Sequence, residues 1–347
     1  MRRNPLGRTG MEVSELCLGT MTFGTQTSRA EAHAQMDRAL EAGVDFLDTA
    51  EMYPVNPVAA ETVGLSEEIV GDWFARGGRR DAWVVATKHS GEGMRHARGG
   101  APITAETIPE AIEGSLRRLK IDCIDLYQFH WPNRGSYHFR QNWRYDPSGQ
   151  DRAATRAHME EALGVLERQV EKGNIRAFGL SNETAWGTAQ WLALAEAGHG
   201  PRVASMQNEY SLLCRIYDTD MAELSVNEDV PLLPFSPLAA GLLSGKYQGG
   251  AVPAGSRRSI NATLGGRVTP RALEAVAAYH ALAGRFGLDP VQMALAWAAR
   301  RPFVASAIFG ATRLDQLEHA LGAAEVTLSD ELCAEIDAVH RAHPMPY

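Results

Sequence analysis

Eight short apolar runs alternate with longer amphipathic stretches, and this alternation constrains the fold more than any other feature. The runs are Leu16–Thr20, Asp45–Ala50, Trp83–Lys88, Ile124–His130, Ile175–Asn182, Ala204–Tyr210, Pro231–Pro237 and Ser306–Ala311. None alternates strictly between apolar and polar, so both faces of each strand should be buried, as in a parallel sheet. Parallel strands need crossovers, and the intervening segments carry helical signals. Ser28 and Glu31 form a capping box before Met36, Ala39 and Leu40. Thr107 and Glu110 form another, with Ile112, Leu116 and Leu119 following. Leu65, Ile69 and Trp73 repeat every four residues, and Leu163, Leu166 and Val170 keep a similar spacing. Further helices are expected at Leu192 and Leu194, at Met221 and Leu224, at Val276 to Phe286, and at Met293 and Trp297. Ser329 caps a last one carrying Leu332, Ile336 and Val339. Strand and helix alternating eight times predict an α/β fold, a closed (β/α)8 barrel of the TIM type formed as a single domain over residues 1–347. A doubly wound sheet is the rival. The strand count and the lack of any linker or shift in composition favour the barrel.

Two connections are long, roughly Trp131–Ala154 and Leu238–Pro270. Both follow strands, so both should lie at the C-terminal face of the barrel, where such folds carry their sites. Charge narrows the partners. Lys plus Arg is 34 and Asp plus Glu is 42, a formal charge of −8. A nucleic-acid partner would need a basic face, so it is not expected. The four cysteines, Cys17, Cys123, Cys214 and Cys333, have no metal spacing, and Cys17 and Cys123 read as buried thiols. No metal is expected, since H-E-x-x-H is absent too. No apolar stretch has the length of a membrane span, and no signal peptide is seen, so the expected location is cytoplasmic.

Four polar residues stand where strands end: Asp48, Tyr53, Lys88 and His130. Asp48 interrupts an apolar run, and a buried carboxylate needs a partner that Lys88 can supply. The set fits protonation of a carbonyl oxygen while a hydride attacks its carbon. A free phenol has a pKa of about 10, too high for an efficient donor, and a neighbouring ammonium can lower it by about 1–3 units. No G-x-G-x-x-G occurs. Gly241-Leu-Leu-Ser-Gly-Lys246 is one residue short of a phosphate loop between its glycines, and Tyr247 follows where Ser or Thr is needed. A backbone and lysine cradle for a cofactor phosphate stays open there.

The chain resembles the aldo-keto reductase family over essentially its whole length. The resemblance rests on Leu18-Gly-Thr-Met-Thr-Phe-Gly24, Phe46-Leu-Asp-Thr-Ala-Glu-Met-Tyr53, Asp125-Leu-Tyr-Gln-Phe-His130, Gly179-Leu-Ser-Asn182, Gln207-Asn-Glu-Tyr-Ser-Leu-Leu213, Phe235-Ser-Pro-Leu238, Gly245-Lys-Tyr247 and Phe309-Gly-Ala-Thr312. Glu51-Met-Tyr-Pro54, His130-Trp-Pro132, Ser181-Asn-Glu-Thr184 and Phe303-Val-Ala-Ser306 look most like its bacterial Tas-like branch. The resemblance implies a barrel that binds NADPH and reduces aldehydes and ketones, with Asp48, Tyr53, Lys88 and His130 as its tetrad and Tyr53 as general acid. It implies that Ser181, Asn182 and Gln207 hold the nicotinamide carboxamide and that Phe235 stacks on the ring. Gly19, Thr20 and Met21 join the cofactor site. Ser236, Pro237, Leu238, Gly241, Ser244 and Lys246 match the pyrophosphate loop, and Arg257 matches a phosphate-binding residue. Gly310, Thr312 and Gln316 match the adenosine end.

The chain departs from the family pattern at His319 and Ala320, where an acidic residue and Asn are usual, so NADPH against NADH is left open. Arg313 either serves the 2′-phosphate or faces solvent. Phe23 and Trp131, with Tyr53 and His130, are expected to wall the substrate pocket, helped by Tyr137, Trp143 and Tyr145. The partner implied is a small carbonyl compound. The alternative is a cofactor-binding redox sensor or regulatory subunit with slow turnover. The sequence leaves the oligomeric state unknown.

Overall fold

In a computed structural model describing residues 1–77 and 79–347, seven parallel strands curl into the wall of a barrel. An antiparallel hairpin comes first, β1 (Arg3–Pro5) and β2 (Glu12–Ser14). The wall follows: β3 (Leu16–Gly19), β4 (Phe46–Asp48), β5 (Val84–His89), β6 (Ile124–Phe129), β7 (Ile175–Ser181), β8 (Val203–Gln207) and β9 (Ala307–Phe309). Their order around the wall is β8-β7-β6-β5-β4-β3-β9.

The expected strand over Pro231–Pro237 fills the gap between β8 and β9, but only through isolated bridges. Leu232 bridges Met206 on one side and Val304 on the other, and Phe235 bridges Glu209 and Ile308. Proline is the reason. Pro231, Pro234 and Pro237 have no N–H to donate, so a continuous ladder cannot form. Their carbonyls still accept: Met206 N donates to Pro231 O and Ile308 N to Pro234 O, each at 2.9 Å. The seam therefore closes, and the fold is a (β/α)8 barrel.

Helices surround it: α1 (Arg29–Glu41), α2 (Leu65–Gly77), α3 (Thr107–Leu119), α4 (Arg152–Glu171), α5 (Ala185–Glu196), α6 (Asp220–Glu228), α7 (Arg257–Ile260), α8 (Pro270–Arg285), α9 (Pro290–Ala299), α10 (Leu314–Leu321) and α11 (Asp330–Ala342). Ser28 caps α1 by accepting from Glu31 N at 3.2 Å, and Ser329 caps α11 by accepting from Leu332 N at 3.1 Å. The box expected at Thr107 sits one turn earlier. Thr107 N donates to Thr104 Oγ1 at 3.3 Å, and Thr104 N donates to Thr107 Oγ1 at 2.9 Å. Thr107 thus opens α3 as its first residue instead of capping it.

The two helices beside β5 pack backbone to backbone at Gly71. A Cβ there would lie 2.2 Å from Arg118 O and 2.7 Å from the Leu119 carbonyl carbon. Gly71→Ala should therefore force α2 from α3 and destabilise the protein by about 1–3 kcal/mol, the usual cost of overpacking. Urea unfolding checks this; an unchanged midpoint would show that the helices separate freely.

The hairpin stoppers one end of the barrel. Leu6, Met11 and Val13 are buried against Cys17, Phe46, Ala86, Leu126, Ala177 and Ala204, all near the N-terminal ends of their strands. Chemistry is left to the other end, where the two long connections emerge. Among the described residues no helix is long and apolar enough to cross a membrane.

Candidate active site

Strand periodicity sets a polar layer directly above the apolar floor. Phe46, Ala86 and Leu126 point into the floor, and two residues further along their strands stand Asp48, Lys88 and Gln128. Lys88 has no exposed surface, so its ammonium must find partners inside the barrel. It donates to Asp48 Oδ2 at 2.5 Å and to Thr49 O at 2.8 Å. The other oxygen of Asp48 accepts from Gln207 Nε2 at 2.8 Å and from Gln128 Nε2 at 3.2 Å. Gln207 also donates to Gln128 Oε1 at 3.0 Å, which closes the network. Gln128 was not expected in this role. Its signal was the same as for Asp48: a polar residue inside an apolar strand.

Tyr53 lies over this ion pair, with Lys88 Nζ 4.9 Å from its ring centre. Burial pushes the phenol above its ordinary value, the Lys88 charge pulls it down and Asp48 pushes it up. The net direction is upward, against the lowering expected from the sequence, because burial outweighs the ammonium. Burial also works against the Lys88 charge, but Asp48 and then Tyr53 more than compensate and hold it protonated. His130 meets Tyr53 edge to face, with ring centres 5.8 Å apart. Burial, then the charge of Lys88, holds its imidazole well below the ordinary value, so the ring is neutral at physiological pH. Its Nδ1 is buried without a partner. The four residues at separate strand ends are thus brought together: a cation fixed by a carboxylate, a phenol above it and a neutral imidazole beside it.

Around this centre the ends of β6, β7 and β8 are tied together. Ser181 Oγ donates to Gln207 O at 2.8 Å, and Asn182 Nδ2 donates to His130 O at 2.9 Å. Asn182 takes a left-handed backbone (φ 53) and keeps its Oδ1 buried and unpartnered. At the end of β3, Gly19 pairs with Asp48, and Thr20 N donates to Asp48 O at 3.0 Å. Across from them, a Cβ on Gly310 would lie 3.0 Å from Gly19 O.

Phe235 is half-buried at the seam, followed by Ser236 (φ 54), Pro237 and Leu238. The next turn brings Gly241 (φ 93) within reach of Ser244, whose Oγ donates to Gly241 O at 2.7 Å. A Cβ on Gly241 would meet Lys246 Nζ at 3.3 Å. Arg257 lies close to Met21, 3.9 Å from its sulfur. Burial, then the charge of Arg267, lowers Arg257 to about 10, and no carboxylate among the described residues pairs with it. Thr312 N and Oγ1 each donate to Gln316 Oε1 at 3.0 Å. Arg313 is exposed and paired with Asp315 at 2.8 Å, while His319 reaches Asp289 at 3.0 Å and Ala320 is buried.

Some expectations need correcting. Phe23 has no exposed surface and belongs to the main core, so it backs the cleft without walling it. Trp131 is half-buried and tilts on His130, with ring centres 4.9 Å apart. Phe139, not foreseen, meets Trp131 at 6.2 Å. Tyr137 and Tyr145 pack on each other, and Trp143 is 61% exposed. Cys123 is half-buried, not buried. Glu209 was missed as well. It pairs with Arg140 at 2.8 Å and Arg267 at 2.7 Å and accepts from Tyr347 Oη at 3.1 Å, joining both long connections to the C-terminal residues. A pocket of about 350 Å³ lined by Phe129, Arg134, His158, Ser181 and Trp191 includes none of the tetrad. Among the described residues no group of three or more His, Cys, Asp or Glu could hold a metal ion.

A family model described as the aldo/keto reductase family matches residues 15–341. The chain belongs to the aldo/keto reductase family. It is similar to Protein tas of Escherichia coli (strain K12), 42% identical over 350 residues covering 100% of this chain and 99% of that protein. The uncharacterized oxidoreductase YrpG of Bacillus subtilis (strain 168) is 33% identical over 94% of this chain and 92% of its own length. A probable voltage-gated potassium channel subunit beta of Arabidopsis thaliana is 30% identical over 94% of this chain and 92% of its own length. As an aldo/keto reductase the protein is an oxidoreductase that acts on small molecules, with a Tas-like sequence throughout.

Proposed function

We propose that the protein reduces aldehydes or ketones to alcohols, with NADPH as hydride donor and Tyr53 as general acid. The observation that carries this reading is the buried Lys88–Asp48 pair beneath Tyr53, with a neutral His130 at its side. A neutral imidazole can donate one N–H to a carbonyl oxygen and orient it. Tyr53 then gives its proton to the oxygen as negative charge develops there. Lys88 stabilises the phenolate left behind, and Asp48 keeps Lys88 in place.

The residues around the centre suit a dinucleotide. Arg257 is a half-buried cation that no carboxylate pairs with among the described residues, which suits a phosphate partner. The Gly241–Lys246 turn leaves a cradle that a side chain at Gly241 would fill. The unpartnered Oδ1 of Asn182 suits a carboxamide N–H₂. Ser181, Asn182, Gln207 and Phe235 would hold the nicotinamide end, with Gly19, Thr20 and Met21 beside them. Ser236, Pro237, Leu238, Gly241, Ser244, Lys246 and Arg257 would hold the phosphates. Gly310, Thr312 and Gln316 would hold the adenosine, with Arg313 at its exposed edge. When bound, the nicotinamide supplies the hydride. The regulatory-subunit alternative gains no separate support from this geometry.

Fluorescence titration of purified protein with NADPH and with NADH, followed by an aromatic aldehyde, tests the proposal. We expect tighter binding of NADPH and steady cofactor oxidation after the aldehyde is added. Binding without turnover over a broad carbonyl panel would overturn the reductase reading. Equal affinity for the two cofactors would overturn the choice of NADPH.

A further inference from the structure

We infer that Glu51, paired with Arg98, is a positioning residue that fixes Tyr53 relative to Lys88. The inference rests on the reductase reading above. Glu51 lies three residues after Asp48 and two before Tyr53, and it is 4% exposed. The segment carrying Tyr53 is fastened to β5 in steps. Thr49 N donates to Ala86 O at 2.9 Å, and Glu51 N donates to Lys88 O at 3.3 Å. The Glu51 carboxylate makes the last fastening by accepting from Ser90 N, just past the end of β5. One side chain thus holds together the two segments that carry the proton donor and its ammonium.

Arg98 balances the charge. Its guanidinium grips both Glu51 oxygens, Nη2 to Oε1 at 2.8 Å, and Nη2 also donates to Ser90 O at 3.2 Å. Delivering it strains one residue: Arg98 itself takes a left-handed backbone (φ 47), while Gly99 (φ 64) and Gly100 (φ 86) after it adopt that region freely. His89 closes the group, with Nε2 3.1 Å from Thr107 Oγ1. A buried ion pair adds little stability over an apolar pair of the same size, so strain spent on building one points to a geometric task. The charged and titratable groups facing Glu51 are Arg98 and His89, with Tyr127 and the Glu67–Arg118 pair beyond. Those facing Tyr53 are Lys88, Asp48, Arg257 and His130.

The test compares Glu51→Ala, Glu51→Gln and the double variant Glu51→Gln/Arg98→Gln. Glu51→Ala removes the fastening. We expect kcat to fall by about 10- to 100-fold, as for a misplaced catalytic group. The KM for NADPH should change by less than about threefold, since the cofactor contacts remain. Glu51→Gln keeps an acceptor for Ser90 N but leaves Arg98 uncompensated. An uncompensated cation pushes the fastening apart, so Tyr53 moves away from the Lys88 charge that pulls its phenol down, and the basic limb of the pH–rate profile should move up. The double variant should return it to the wild-type position.

Wild-type kcat in Glu51→Ala with only a lower Tm would overturn the inference, as would equal losses in kcat and NADPH affinity. If Glu51→Ala does not fold, a wild-type pH profile in Glu51→Gln overturns it. A second readout needs no carbonyl: the Tyr53 phenol can be titrated by ultraviolet difference between each variant and its Tyr53→Phe counterpart. A wild-type protein without turnover would defeat the reductase reading, and this titration would still show whether Glu51 acts on Tyr53.

Discussion

Tyr53→Phe should lower kcat by about 10²–10⁴, the usual worth of a positioned proton donor. Affinity for NADPH should stay nearly unchanged. The phenol lies over Lys88, while the half-buried cation that no carboxylate pairs with among the described residues is Arg257, in the second long connection. Removing one oxygen leaves the ring, and with it the edge-to-face contact to His130. The fold should therefore survive, and the loss should fall on the chemical step. Steady-state kinetics and a cofactor titration on the same preparation decide the matter. Wild-type turnover in the variant would remove Tyr53 from the mechanism.

Lys88→Met should have the largest effect on the fold. It leaves Asp48 buried with two amide donors and no cation. Breaking a buried pair from one side costs about 3–5 kcal/mol, because the remaining charge cannot reach water. Turnover should be lost with it. Adding Asp48→Asn should recover much of the stability, since Gln128 and Gln207 can still donate to an amide oxygen, but none of the activity. Urea unfolding of the cofactor-free protein measures the first effect without the stabilisation a bound ligand brings. A single variant as stable as wild type would mean that Asp48 takes up a proton at little cost, and the pair would then be a weak anchor for catalysis.

Much of this site is legible in the sequence because burial makes polar residues conspicuous. Asp48 and Lys88 stand out within apolar runs, and strand alternation alone turns both inward. Gln128 stands out in the same way, although an amide carries no charge to demand a partner. The seam was harder to read. Pro231–Pro237 has a strand's composition, yet its three prolines allow only bridges. The direction of the Tyr53 shift depends on how deeply the phenol is buried, which no spacing of residues reports. The hairpin strands are three residues each, too short to show a period. Glu51 and Arg98 are 47 residues apart, and Glu209 meets Tyr347 across 138. Such pairings follow from the closure of the barrel, not from any local pattern.

The hairpin caps the packed floor of the barrel, so the site is closed from below. With Leu6, Met11 and Val13 as its stopper, a small molecule that reaches Tyr53 must back out through the mouth by which it came. Arrival and departure share one doorway, framed by the two long connections that Glu209 ties together.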